Sequence, residues 1–398
     1  MTTPESKKTI PEFKAPGAGA WRPLDVSAEG TDAQKAKARE NKDELKTMLL
    51  ASLQMQHLLV LAGSGCSLSA GGPSMQALWN GAVGENPTAE AKATAAKVHH
   101  DLESPNIEAF LSRIEAYLQV NTDKGVTAFL NSSKQVILQR CSAFLKPEEL
   151  VAHMTFLHRL SRRRVRDQRL RVFTTNYDLC FERAASALGG VALDGFSFAA
   201  PRRYDPRFFS YDIIRRPRSG DDLGNYLEGV FLLYKLHGSV NWARDADGTI
   251  CEKPDPTPEQ ACLIYPASGK YQQSFVQPHL ESMAQYLAAV REPNTCLLIV
   301  GFGFNDDHLA EPLLAAVQSN PHLRLIIVDH SADEKANAAS SNRFWKQFFE
   351  LANRGEDVWF IKSSFEGCAQ LIPDLKSLTA ADTLMKAIKG VTREPWAS

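Results

Sequence analysis

The 398-residue chain has no Cys-x-x-Cys pair, no long apolar run and no marked excess of charge of either sign. Each absence removes a class of function. Its seven cysteines, an odd number, lie far apart at positions 66, 141, 180, 251, 262, 296 and 368, which favours reduced thiols over a disulfide framework. No run approaches the length of a membrane span, and the polar start Met1 to Lys14 lacks the apolar core of a secretory signal. A formal net charge of -1 gives no global pull toward nucleic acid or anionic lipid. The expectation is a soluble, cytoplasmic protein without membrane contact, in which a nucleic-acid partner would need a local patch. The chain also lacks internal repeats and the Gly-x-x-x-x-Gly-Lys-Ser/Thr loop of a nucleotide-driven motor.

What is present is ordinary in bulk, 44% apolar and 23% charged, and long enough for one large domain with an embedded part or for two domains. Residues 1–31, rich in Pro, Gly, Thr and charge, read as a mobile arm that Trp21 can pin to the body or a partner. A helix capped by Thr31 or Asp32 comes next, with Leu45, Met48, Leu49 and Leu53 as its apolar stripe. Residues 32–398 then read as one domain carrying an inserted helical module at 84–166, where strand signals vanish. The clearest helix there has Ile107, Phe110, Leu111, Ile114 and Leu118 at helical spacing behind Asn106. Two more are predicted over 127–144 and 148–160.

Short, nearly continuous apolar runs at 58–62, 170–174, 231–236, 262–265, 295–300, 323–328 and 358–361 alternate with helices such as 280–290 and 343–352. They predict an α/β fold, a Rossmann-like, doubly wound and mostly parallel sheet. Ligands of such sheets sit beyond the carboxyl ends of the strands.

Four motifs fall at those ends. In the first, Ala62-Gly63-Ser64-Gly65-Cys66-Ser67 runs from a strand into a glycine turn and on to Gly71-Gly72-Pro73. Backbone N–H groups around Gly63 and Gly65, with the Ser64 and Ser67 hydroxyls, suit a phosphate at a helix start, and Pro73 suits a turn or a new helix. The spacing departs from Gly-x-Gly-x-x-Gly, and no acidic residue closes a second strand about 20 residues on, which disfavours a dehydrogenase. The second, Thr174-Thr175-Asn176-Tyr177-Asp178, places at a strand tip an Asn that can both donate to and accept from a water or sugar hydroxyl. Asp178 either caps the following helix or binds a ribose.

In the third motif, Lys235-Leu236-His237-Gly238, the histidine can accept a proton near neutral pH. The fourth, Gly301-Phe302-Gly303-Phe304-Asn305-Asp306-Asp307-His308, forms a second nest for ribose or phosphate, and Asp329 stands where a carboxylate can read ribose hydroxyls. No metal set is expected, because no second histidine stands at ligand spacing from His308. The basic run Arg162 to Arg171 reads as a solvated helix end before a strand, with contact to nucleic-acid phosphates as the alternative. The polar stretch 199–225 reads as a lid or an assembly surface.

In this order the four motifs resemble the sirtuin family, in particular its bacterial branch of sirtuin-like NAD hydrolases found in antiphage defence. The likeness spans about residues 55–330. Gly63-Ser64-Gly65-Cys66-Ser67 is similar to the family's Gly-Ala-Gly-x-Ser, and Ser69-Ala70-Gly71-Gly72-Pro73 to its Ser-x-Gly-x-Pro. The second and third motifs look like the branch's Thr-Thr-Asn-Tyr-Asp and Lys-Leu-His-Gly, and Gly301 to Asp306 like its Gly-Tyr/Phe-x-Phe-x-Asp. The resemblance implies NAD⁺ as substrate, bound extended along Ala62, Gly63, Ser64, Gly65, Ser67, Pro73, Thr175, Asp178, Gly301, Gly303, Asp306 and Asp329. It implies Asn176 and His237 as the catalytic pair, with Asn176 positioning a water or ribose hydroxyl and His237 as general base.

Two departures from deacylating sirtuins bear on the acceptor. Only Cys251 and Cys262 follow His237 before the next strand pair, so no four-cysteine zinc module is expected, and Ser74-Met75-Gln76 replaces Asp-Phe-Arg after the proline. The expected function is NAD⁺ glycohydrolysis by an NAD-depleting effector. Protein deacylation, ADP-ribosyl transfer, and a non-catalytic subunit sensing NAD⁺ or ADP-ribose are the alternatives. Control is expected from outside the catalytic motifs, through a homo-oligomer or a partner such as the ATPase of a shared defence system.

Overall fold

A computed structural model of the chain describes residues 10–27, 29–164, 167–216, 226–266, 276–337 and 342–374. Its strands are β1 (Glu12–Lys14), β2 (Arg22–Pro23), β3 (His57–Ala62), β4 (Leu170–Thr174), β5 (Val191–Leu193), β6 (Val230–Lys235), β7 (Gly238–Arg244), β8 (Ile250–Glu252), β9 (Ala261–Leu263), β10 (Thr295–Val300), β11 (Leu323–Asp329) and β12 (Val358–Lys362). The large sheet runs β2-β1-β12-β11-β10-β3-β4-β6-β5, parallel from β12 through to β5. This is the predicted α/β class. Central strands are apolar throughout because both faces are covered. Leu58, Val60 and Ala62 of β3 enter one core while Leu59 and Leu61 enter the other, and β10 splits the same way.

Helices α1 (Asp32–Leu53), α2 (Met75–Ala82), α3 (Ala89–Lys97), α4 (Ile107–Val120), α5 (Lys124–Ala143) and α6 (Val151–Leu160) precede β4. Thr31 caps α1 in a capping box with Gln34, and Asn106 caps α4 through Ala109 N–H, both as the sequence predicts. The packing divides the predicted helical segment. Side chains of α2 to α5 form a second core around Phe110, Leu111, Ile114 and Ile137, shared with Val240, Leu263 and Tyr265 from and beside the small sheet, whereas Phe156, Leu157 and Leu160 of α6 pack into the main core. Truncating the buried, aromatic-ringed Phe110 to alanine should cost about 3–5 kcal/mol, read as an early transition of α2–α5 in chemical denaturation.

Three expectations are corrected here. Part of the predicted mobile arm is structured: β1 pairs antiparallel with β12, Phe13 is fully buried, and Trp21 packs on Phe349 and Phe360. Pro, Gly and charge describe a loop well, but three residues beside an unpaired sheet edge are enough for a strand. Second, the run at 262–265 is not in the parallel sheet; β9 joins β7 and β8 in a separate antiparallel sheet. Third, β5, β7 and β8 carry too few alternating or apolar residues to stand out by pattern. Part of the 199–225 stretch, residues 217–225, lies outside the described residues.

After β4 come α7 (Cys180–Ala187), α8 (His279–Ala289), α9 (Asp307–Ser319), α10 (Ala332–Asn337), α11 (Arg343–Arg354) and α12 (Phe365–Leu371). Among the described residues no helix is long and apolar enough to cross a membrane.

Two buried histidines make the fold acid-sensitive. Both ring nitrogens of His153 on α6 lack a hydrogen-bond partner, and burial pushes it down to about 4; burial does the same to His279. An unfolded histidine takes up its proton near 6.5, so the unfolded state binds more protons below that pH. Stability is therefore complete above about 6.5 and falls as pH drops toward 4, by up to roughly 3 kcal/mol from each. Urea midpoints measured across that range should fall for the natural chain and fall less for His153→Leu.

Candidate active site

Strand β3 lies between β10 and β4, and the chain leaves it in both directions, which opens a crevice at the carboxyl ends of these strands. The loops after β3 and β10 meet there backbone to backbone. Gly63 N–H donates to Val300 O and Gly65 N–H to Gly301 O, each at 3.0 Å. A Cβ on Gly63 would lie 2.5 Å from Gly301 O, and one on Gly65 2.7 Å from Gly301 Cα. These two N–H groups are spent on the neighbouring loop, which leaves the expected phosphate cradle to the other groups around them. Nor does the glycine turn open directly into one helix: two 3-10 turns, Ser64–Cys66 and Leu68–Ala70, lead to α2, which is capped by Ser74 so that Pro73 precedes the helix.

Ser67 is the hub of the second contact. Buried at 4% exposure, its Oγ donates to Asp178 Oδ2 at 2.6 Å and accepts from Asn176 Nδ2 at 2.9 Å. Asn176 spends its other amide hydrogen on Gly63 O at 3.0 Å. Both donors of the amide are thus engaged, which fixes its orientation and leaves Oδ1 as the group it can offer. The dual donor and acceptor role expected of Asn176 narrows to acceptor. Asp178 is committed too, since Oδ1 accepts from Cys180 N–H at the start of α7. It acts as cap and as anchor for Ser67. Lys235, buried at the end of β6, binds the Tyr177 and Asp178 carbonyls and Glu182, holding this loop from beneath.

His237 leaves β6 just before Gly238, whose φ of +84° and whose closeness to the Cys262 carbonyl admit no Cβ. Only 3% exposed, its Nε2 lies 3.1 Å from Nε2 of His308, the second residue of α9, with ring centroids 5.2 Å apart. Sequence spacing hid this pair, because its members stand on different elements. Asp306 completes the cluster, with a ligand atom from each of the three residues within 4.8 Å of the others.

One cleft gathers most predicted site residues: Gly63, Ser64, Ser67, Pro73, Thr175, Asn176, Asp178, His237, Gly301, Gly303 and Asp306. Ala62, Gly65 and Asp329 do not line it. Asp329 accepts from Ser331 N–H and Oγ and from Lys335 Nζ at 2.6 Å. Burial raises its carboxyl, but the Lys335 and Ser331 donors outweigh that and hold it below the usual range. The cleft also contains residues the sequence did not flag, notably Glu108 at the start of α4, Met75 and Leu78 of α2, and Pro266. They belong to ordinary helix or loop patterns, and the docking of α2 to α5 brings the first three here while Pro266 follows β9.

The basic run is largely structural. Arg163 is buried and donates to the carbonyls of Leu53, Met55, Gln56 and Gln168, while Arg164 pairs with Asp167, Arg169 with Asp212 and Arg171 with Glu292. Arg166 lies outside the described residues.

The solved structures similar to this chain include one described as a Sir2 homolog–NAD complex, at 13% identity over 87% of this chain and 94% of that one, with a TM-score of 0.41. Another, a mutant Sir2 homologue in complex with ADP ribose, is 12% identical over 88% and 99%, with a TM-score of 0.40. No curated protein matches. Residues 170–350, which carry three of the four motifs, match the family model described as a SIR2-like domain.

Proposed function

We propose that this chain is an NAD-dependent enzyme of the sirtuin type that hydrolyses the bond between nicotinamide and ribose, giving nicotinamide, ADP-ribose and a proton from NAD⁺ and water. The observation that carries this reading is the placement of Asn176 and His237 in one cleft with the two glycine loops, with His308 behind His237 at 3.1 Å. As the bond breaks, positive charge develops on the ribose. Asn176 Oδ1, an acceptor held by two hydrogen bonds, can fix the attacking water or a ribose hydroxyl by accepting its hydrogen. The histidine pair can take up the proton that the water releases. Ser64, Thr175 and the wall formed by Gly301 and Gly303 would hold the dinucleotide.

Water rather than an acyl-lysine is favoured as acceptor. The segment after Pro73 is spent on starting a helix, Ser74 Oγ accepting from Ala77 N–H, and it supplies Met75 rather than a Phe-Arg pair to the cleft. Cys251 and Cys262 stand on the outer strands β8 and β9 of the small sheet, a pair of thiols where a four-cysteine zinc site needs twice as many. Depletion of NAD⁺ during phage infection, within a homo-oligomer or with a partner ATPase, is the role we assign to this activity.

The test is chromatography of purified protein with NAD⁺, with and without an acetylated peptide. Nicotinamide and free ADP-ribose, formed at the same rate without peptide, are expected. Acetyl transfer to ADP-ribose would replace this reading with deacylation, and tight NAD⁺ binding without nicotinamide would replace it with a sensing module.

A further inference from the structure

The convergence of His237, Asp306 and His308 has a use beyond proton transfer. Two imidazole nitrogens bound to one tetrahedral zinc at about 2.0–2.1 Å stand roughly 3.3 Å apart. Here the two Nε2 atoms are already 3.1 Å apart, so a shift of a few tenths of an ångström separates the present pair from a metal chelate. Asp306 brings an oxygen into the same 4.8 Å cluster, and the donor set of two imidazoles and one carboxylate is that of open zinc sites. Among the described residues it is the one such cluster of three.

The supports are rigid. Gly238 and the bond from Ile264 N–H to the His237 carbonyl fix one ligand, while Asp306 and His308 begin α9, whose Leu309 carbonyl is held by the buried Tyr286 hydroxyl. Because His237 and Asp306 also line the cleft, a fourth position on the metal would face solvent. The cleft's own thiol, Cys141, is not part of the cluster.

We propose that His237, His308 and Asp306 form a binding site for a divalent transition-metal cation of the zinc or cobalt class, and that its occupancy blocks the cleft's base. Binding takes the Nε2 lone pairs of both histidines, so neither imidazole can accept the proton of the attacking water at that atom. Metal binding stands by itself, whereas inhibition rests on the hydrolase reading above.

The two are separated by experiment. Tag-free protein stripped with a chelator and titrated with Co²⁺, without NAD⁺, should develop the intense visible absorption of tetrahedral cobalt at one equivalent, and Zn²⁺ should abolish it. His308→Gln and, as a second and milder variant, Asp306→Asn should each weaken binding by about 10–100-fold or more. Absence of that absorption in the natural chain, or unchanged cobalt affinity in both variants, overturns the site. Saturating Zn²⁺ should cut nicotinamide release at least tenfold, reversibly with chelator. Cobalt binding with undiminished hydrolysis would overturn the inhibition, and cobalt binding without any hydrolysis would overturn the hydrolase reading while leaving the site intact.

Discussion

Replacing His237 with alanine should lower nicotinamide release by about 10²–10⁴-fold, the usual cost of losing a general base, with NAD⁺ binding largely retained. Alanine at Asn176 should cost as much, because Oδ1 is the one group of that side chain not already committed to the protein. The sharper test is Asn176→Asp. A carboxylate keeps an oxygen near the same place but cannot donate to Gly63 O, and Ser67 Oγ has already given its proton to Asp178. The new charge would face two oxygens without a hydrogen between them. Asn176→Asp should therefore be at least as inactive as the alanine variant and less stable, by about 1–3 kcal/mol for the broken buried hydrogen bonds. Initial rates of nicotinamide release and thermal unfolding of the same preparations measure both effects, and an active Asn176→Asp enzyme would sink the orientation derived for the amide.

Gly238→Ala should be the most damaging glycine-to-alanine change among the described residues. Its φ of +84° strains any L-residue, and its Cβ would land on the Cys262 carbonyl oxygen, which is main chain and cannot swing aside. The strand pair β7–β9 must separate, and His237, one residue away, must move with it. A loss of more than about 4 kcal/mol is expected, together with loss of nicotinamide release. Gly248 is the control. It has nearly the same φ, +86°, but nothing within 4 Å of its missing Cβ, so Gly248→Ala should cost only about 1–2 kcal/mol of backbone strain. Equal effects in the two variants would show that collision at Gly238 contributes nothing.

The parallel sheet was legible because its strands are buried on both faces and so read as unbroken apolar runs. The α4 cap and stripe were legible because helical spacing is local. What the sequence could not reveal is set by partners distant in the chain. Phe13 becomes a strand residue only because β12 offers an open edge. Gly63 and Gly65 looked like phosphate binders, and only the placement of β10 beside β3 shows that their missing side chains serve loop-to-loop contact. Ser67, Asn176 and Asp178 were each picked out by residue type. The anchor and acceptor roles rest on hydrogen bonds across more than a hundred residues of chain, and only the Asp178 cap is local. His308 was read alone, and its partner came from another strand end.

The seam between the two glycine loops also bears on synthesis. Gly63 leaves the ribosome long before Gly301, and at ordinary elongation rates of about 5–20 residues per second the wait is on the order of tens of seconds. During that time the first loop has neither the carbonyls it donates to nor the histidine that faces His237. The cleft is thus incomplete until α9 has emerged, and translation broken off before that point yields fragments without it. Under the hydrolase reading proposed above, strand order alone would shield the host's dinucleotide pool until the polypeptide is nearly finished.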